Sequence, residues 1–226
     1  MLAIAATSAW REAHPGAAIG LLELAGVEQA GPAARLEEQK RATEALLRER
    51  YAGWSRQDLL AIPVMAAYHR YYRRFKKTYH VQLQVESIAF KGRNLPSVTP
   101  LVDANYCAEV DTLILTAGHD VDRLREPVQI DVSVAGDRQT QMSGEPKEIL
   151  AGDMVMRDAG GISCSIIYGQ DHRSPITPET THALYVAYAP AGVPAEEVER
   201  QLRAIEVNVR LFSPAAVLEQ LTVIRA

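Results

Sequence analysis

Tyr168-Gly169-Gln170-Asp171-His172-Arg173-Ser174 is the one compact polar cluster of the chain, joining an amide, a carboxylate, an imidazole and a guanidinium ahead of Pro175. It follows a buried-looking strand pattern, ISCSIIYG (162–169), so it reads either as a strand-end loop lining a pocket or as a solvated surface turn. Thr116-Ala117-Gly118-His119-Asp120 could bring His119 to the same pocket, although a lone histidine also serves as a hydrogen-bonded structural residue. Asp103, at the start of a middle helix with Asn105 and Tyr106, reads as a cap that accepts backbone N–H bonds.

Other chemistries have no signature here. The sequence holds no GxxxxGK[ST] loop, no GxGxxG, no HExxH and no GxSxG elbow. Cys107 and Cys164 form no CxxC or CxxH pair, so neither a metal nor a cofactor is expected and both thiols read as small buried residues. No apolar run approaches the ~20 residues of a membrane span, and the start lacks a basic leader, so a cytoplasmic location and no membrane partner are expected.

Charge is informative through its distribution. Twenty-four basic against 28 acidic residues give −4, which does not by itself point to a nucleic acid. Yet Arg70, Arg73, Arg74, Lys76 and Lys77 crowd into one segment, free to reach phosphates or to form a solvated face. Tyr72 and Phe75, at helical spacing within it, read as core contacts; Tyr71 suits either a core or a base-stacking role.

The elements that must position these residues divide the chain in two. An edge strand at 2–6 and a buried strand at 18–26 precede an amphipathic helix, opened by Gly31-Pro32 and running to about Ala52. Ser55 caps a helix through Lys77 that Pro63 should break, and further helices fall at 82–93 and 101–115. Behind them, 128–136, 153–158, 162–169 and 182–190 alternate or are wholly apolar, as strands are; Pro194 opens a charged helix to about Leu211, and LTVIRA returns as a strand. Absence of βαβ alternation makes the fold α+β: a helical N-terminal half on a mixed, mainly antiparallel sheet, with residues 1–226 as a single domain.

Two ordered stretches carry a family resemblance. VDANYCAEVDTLILTAGHDVDRL (102–124) resembles the "VD-x-x-N … D-x-D-K-L" stretch of the B3/B4 editing region of the bacterial phenylalanyl-tRNA synthetase β subunit and its free-standing relatives. Asp103, Asp120, Asp122 and Leu124 match; the family's asparagine falls on Tyr106, with Asn105 one place early. GDMVMRDAGGISCSIIYGQDHRSPITPETTHALYVAY (152–188) is similar to its strand, glycine turn, strand, polar loop and "T-x-E-T", with Thr177, Glu179 and Thr180 at the signature. The resemblance spans roughly residues 60 to 190.

What the resemblance implies is a B3/B4-like fold with a pocket for the aminoacylated 3′ end of tRNA, where water attacks the ester without metal or covalent intermediate. Asn105, Tyr106, Thr116, Ala117, Tyr168, Gly169, Gln170, Val186 and Tyr188 would then contact substrate, backbone N–H groups around Gly169 and Gln170 would face the oxyanion, and Asp171, His172 or His119 would orient the water. Arg70, Arg73, Arg74, Lys76 and Lys77 would hold the tRNA. Two departures stand out: Ala117 replaces the family's pocket histidine and Val186 its glutamate, which argues against tyrosyl-tRNA as substrate. The new polar set suits a polar or cationic side chain such as the arginine-like canavanine, with Asp171 as its partner. Two other readings are a tRNA-binding module without hydrolysis and a hydrolase of a small free metabolite.

Overall fold

A computed structural model describes residues 1–31 and 33–226. The chain runs β1 (Ile4–Ala6), α1 (Ser8–Ala13), β2 (Ala18–Ala25), α2 (Ala34–Arg50), α3 (Arg56–Ala61), α4 (Pro63–Arg73), α5 (His80–Ala89), α6 (Pro100–Thr112), β3 (Thr116–Asp120), β4 (Val128–Val132), β5 (Arg138–Thr140), β6 (Pro146–Glu148), β7 (Met154–Asp158), β8 (Gly161–Ser165), β9 (Gly169–Gln170), β10 (Ala183–Ala189), α7 (Ala195–Arg210) and β11 (Val217–Arg225). This is the expected α+β class. The strands form two sheets rather than one, in the orders β1-β4-β7-β8-β9 and β11-β2-β10-β3, and β5 and β6 make a separate ribbon. Only β1 and β4 run parallel.

Local signals act as their chemistry dictates. Ser55 and Asp58 form a reciprocal capping box at α3, and Pro63 ends that helix and begins α4. Leu36, Thr43 and Leu47 bury one stripe of α2, while Pro32, expected to open that helix with Gly31, lies outside the described residues. Two expectations are corrected, and one strand adds to those read from the sequence. The cap of α6 is Thr99, whose hydroxyl accepts the Val102 N–H; Asp103 instead accepts the Val98 N–H and pairs at 2.7 Å with the buried ammonium of Lys40. Residues 116–120 are a strand, paired with β10, because register with a wholly buried neighbour outweighs the weak strand propensity of TAGHD. Finally, α4 stops at Arg73, so Lys76 and Lys77 stand in the turn beyond it.

Four tyrosines tie the helices to the sheets. The Tyr68 hydroxyl donates to the Tyr188 carbonyl at 2.7 Å and accepts the Leu115 N–H at 3.1 Å. Tyr72 donates to the Ile166 carbonyl, Tyr79 to the Leu113 carbonyl, and Tyr71 to Asp153 while accepting the Met154 N–H. The rings of Tyr68 and Tyr79 stack with centroids 4.2 Å apart. Tyr71, Tyr72 and Phe75 are therefore core residues.

Tyr68→Phe keeps the stacked ring but leaves a buried N–H without its partner. A loss of about 1–3 kcal/mol is expected, read as a lower urea midpoint with an unchanged m-value.

Candidate functional site

Residues three, four and seven apart share a helix face, and on α6 this brings Val102, Asn105, Tyr106 and Glu109 to one wall of a cavity of about 340 Å³. Thr116, Ala117 and Gly118 of β3 contribute a second wall, and the end of β8 with Gly169 and Gln170 of β9 a third. His80 and Gln84 of α5 and Tyr185 and Tyr188 of β10 complete it. The two separated stretches of sequence thus meet around one enclosed space. Gly118 permits this closeness, since a β-carbon there would lie 2.6 Å from Ile176 and 3.2 Å from the Tyr185 ring.

Behind the wall runs a web of amides and hydroxyls. Asn105 donates to the Thr116 carbonyl at 2.8 Å, and Gln201 of α7 donates to the Thr116 hydroxyl at 2.9 Å. The Thr116 N–H donates to Glu109 Oε1 at 2.8 Å. These bonds fix the start of β3 against α6. They also fix Glu109, which is 2% exposed and whose carboxyl burial pushes up to about 8.

Sequence reasoning missed Glu109. It sits in CAEVD, where acidic residues read as solvated helix surface; the available signal was its place four residues after Asn105 and seven after Val102. Cys164, also in the wall, is held by burial as a neutral thiol, at about 12, and is no nucleophile at neutral pH.

Of the residues singled out in the sequence, Asn105, Tyr106, Thr116, Ala117, Gly169, Gln170 and Tyr188 line the cavity. Val186 is fully buried, in register with Ala117, and does not line it. Tyr168 does not line it; its ring packs on a separate cluster of Ile149, Val155 and Ile162, with the Lys77 and Lys147 ammonium groups 6.0 and 5.4 Å from its centroid.

The three residues expected to orient water stand elsewhere. Asp171 is buried, accepts both the N–H and the hydroxyl of Ser174, and has Arg173 Nε 2.5 Å from its other oxygen. Arg173 also grips both oxygens of Asp158, at 2.9 and 3.0 Å. A loop carboxylate held this way is a strut, because its charge is already spent on a neighbour. His119 is fully buried and stays neutral, its pKa pushed down to about 3 by burial. Its Nδ1 lies 3.0 Å from both Ser174 Oγ and the Gln170 side-chain nitrogen. His172 is exposed and lines a separate depression with Arg123 and Arg125.

The motif residues at 120 and 177–180 serve as a clamp. Thr180 donates to Asp120 at 2.8 Å and accepts the Thr177 N–H at 2.9 Å, tying the end of β3 to the approach of β10. Arg70, Arg73, Arg74, Lys76 and Lys77 are all exposed. Arg70 and Arg74 face a depression with His14 and Tyr71, and Arg74 lies over the Tyr71 and Phe75 rings at 5.2 and 5.5 Å.

Comparison with known proteins gives a likeness of fold. The chain is similar to the N-terminal fragment of the phenylalanyl-tRNA synthetase beta-subunit from Pyrococcus horikoshii, with a TM-score of 0.47 and 7% identity over 97% of this chain and 54% of that one. It thus spans about half the length of that structure. No family model matches the sequence, and no curated protein matches it.

Two outcomes are expected from this geometry. Asp171→Ala breaks a buried ion pair and costs roughly 3 kcal/mol, whereas His172→Ala stays within about 0.5 kcal/mol, both read by urea unfolding. Glu109 keeps its proton in the folded chain up to about pH 8 but loses it in the unfolded chain near its ordinary value of 4.5. The folded state therefore binds the extra proton between those values, and stability falls as pH rises through that window. Glu109→Gln flattens that part of the profile, which unfolding of both proteins from pH 5 to 8.5 checks.

Proposed function

We propose that the cavity receives the amino acid of a mischarged tRNA and that the protein hydrolyses the ester joining the two, as a cytoplasmic trans-editing deacylase. The observation that carries this reading is the meeting of residues 105–118 and 164–176 around one cavity of about 340 Å³. These are the two stretches that resemble the editing region. Ligand cavities run from roughly 300 to 1,000 Å³, so this one suits an aminoacyl group, with the nucleotide left at its mouth.

The hydrolysis follows from positioning. An aminoacyl ester is reactive already; fixing a water in line with its carbonyl and offering donors to the oxyanion lowers the barrier without a nucleophilic side chain. Gly169 and Gln170 belong to the wall, and backbone N–H groups around them are the donors in this scheme. With His119 neutral and sealed, Asp171 paired and His172 on another surface, no side chain named from the sequence acts as base. The adjacent ribose hydroxyl of the substrate relays the proton instead, accepting one from the attacking water while passing its own to the leaving ribose oxygen.

Outside the cavity, the segment from Arg70 to Lys77 supplies contacts to RNA phosphates, and Tyr168 between Lys77 and Lys147 offers a ring for the terminal base. Tyrosine is disfavoured as the edited residue in so far as the family's glutamate position is held by Val186, which is buried outside the cavity wall.

A panel of mischarged tRNAs tests the reading. Release of at least one amino acid is expected, falling steeply with salt, and Arg73→Glu with Arg74→Glu removes activity on tRNA while leaving the fold intact. Binding of tRNA with no release from any member identifies a binding module instead. Turnover of small esters that those two substitutions do not affect identifies a metabolite hydrolase.

A further inference from the structure

Among the described residues, Glu109 is the single carboxyl group in the cavity wall, and no lysine or arginine shares the wall with it. One of its oxygens accepts the Thr116 N–H; the other has no protein partner and is not sealed from the cavity. The titratable groups that face it are Tyr106 from its own helix, Tyr68, Tyr72, Tyr79 and His80 from the α4–α5 side, Cys164 from β8 and Tyr188 from β10.

Burial raises every one of those phenols and the thiol, so none is charged at neutral pH. His80 keeps an exposed edge, but its ring packs against Tyr72 and Tyr79 and burial pulls its pKa down to about 4. Glu109 is thus a carboxyl group in an apolar wall with no counter-charge. Burying a carboxyl unpaired is costly, and a ligand cation is what would repay it.

The free oxygen of Glu109 is therefore an unused acceptor at the cavity surface, and a cation carrying N–H donors satisfies it better than a neutral side chain does.

We propose that Glu109 is the counter-ion for a guanidinium or ammonium group on the side chain of the edited amino acid. This rests on the reading of the cavity as an aminoacyl site. It moves the cation partner from Asp171, whose charge is held by Arg173, to α6.

Calorimetry on the full chain tests the pairing without RNA or an ester. The probes are Nα-acetylargininamide, whose only cation is its side chain, the uncharged citrulline counterpart, and leucinamide, whose only cation is its α-ammonium. Only the ionised carboxylate pairs with a cation, so Nα-acetylargininamide binding expels the Glu109 proton to the buffer below about pH 8. Affinity is then expected to rise by up to about tenfold per pH unit from 6 to 7.5 and to level off above pH 8, with proton release by the protein visible by comparing buffers of different ionisation enthalpy.

Glu109→Gln, its fold checked by circular dichroism, is expected to weaken binding at least about tenfold and abolish the pH slope. Equal binding of the citrulline counterpart overturns the proposal, as does leucinamide outbinding Nα-acetylargininamide, an affinity that falls with rising pH, or a fully competent Glu109→Gln. Failure of the two readings is separable. A chain that binds the guanidinium probe but releases nothing from any tRNA keeps this inference and loses the deacylase; one that clears mischarged tRNA but ignores ligand charge does the reverse.

Discussion

Buried backbone groups need partners, and in this protein tyrosine hydroxyls supply them where the helices meet the two sheets. Leu113, Leu115, Met154, Ile166 and Tyr188 each present a carbonyl or N–H where regular structure ends or changes sheet, and each is met by a hydroxyl from Tyr68, Tyr71, Tyr72 or Tyr79. The net value of one such bond is about 1 kcal/mol, but the penalty for its absence is larger, so the arrangement is obligatory rather than ornamental. Leu113 shows the strain that is tolerated: it holds a left-handed φ of 67° at the end of α6, with its N–H bonded to the Glu109 carbonyl and its own carbonyl to Tyr79.

The same bonds hold the cavity open. Leu115, Ile166 and Tyr188 are both tyrosine-bonded and part of its wall, so the hydroxyls fix three sides of the space from behind. Several side chains of the wall add to this frame, Asn105 and Gln170 by donating to the Thr116 and Gly118 carbonyls, whereas one oxygen of Glu109 is left without a bond. The contrast with the polar loop is physical. Asp158, Arg173 and Asp171 satisfy one another, and a β-carbon at Gly160 would run into the Arg173 guanidinium, so the loop has traded reactivity for rigidity.

The sequence made the fold class legible because its strongest signals were local. Ser55 with Asp58, Pro63, and the alternation of HALYVAY report on their own neighbourhoods. Elements that depend on distant partners were not legible: β3 exists through its register with β10, and the β5–β6 ribbon, RQTQMSGEPKE, has the composition of a loop. For the site, the two stretches that come together could be named in advance. Which side chains turn inward could not. Asp171 and His119 advertise chemistry by type, but their directions are set by Arg173, Ser174 and Gln170, contacts made only once the loop folds back on β3.

Glu109 follows from helix geometry and from where α6 ends. It lies in the last turn, where the unpaired carbonyls carry partial negative charge, so the helix dipole and burial both oppose ionisation and only the Thr116 N–H favours it. A carboxyl in that position is a poor structural choice, since an amide would satisfy the same N–H without a charge to bury. The core handles its buried carboxyls differently: Asp103 is paired with Lys40, and Asp153, which has no cation beside it, accepts the Tyr71 and Ser165 hydroxyls and the Ile167 N–H. Glu109 has the Thr116 N–H alone and keeps its other oxygen unbonded, so its compensation is the one left to come from a ligand in the cavity if the proposed pairing holds.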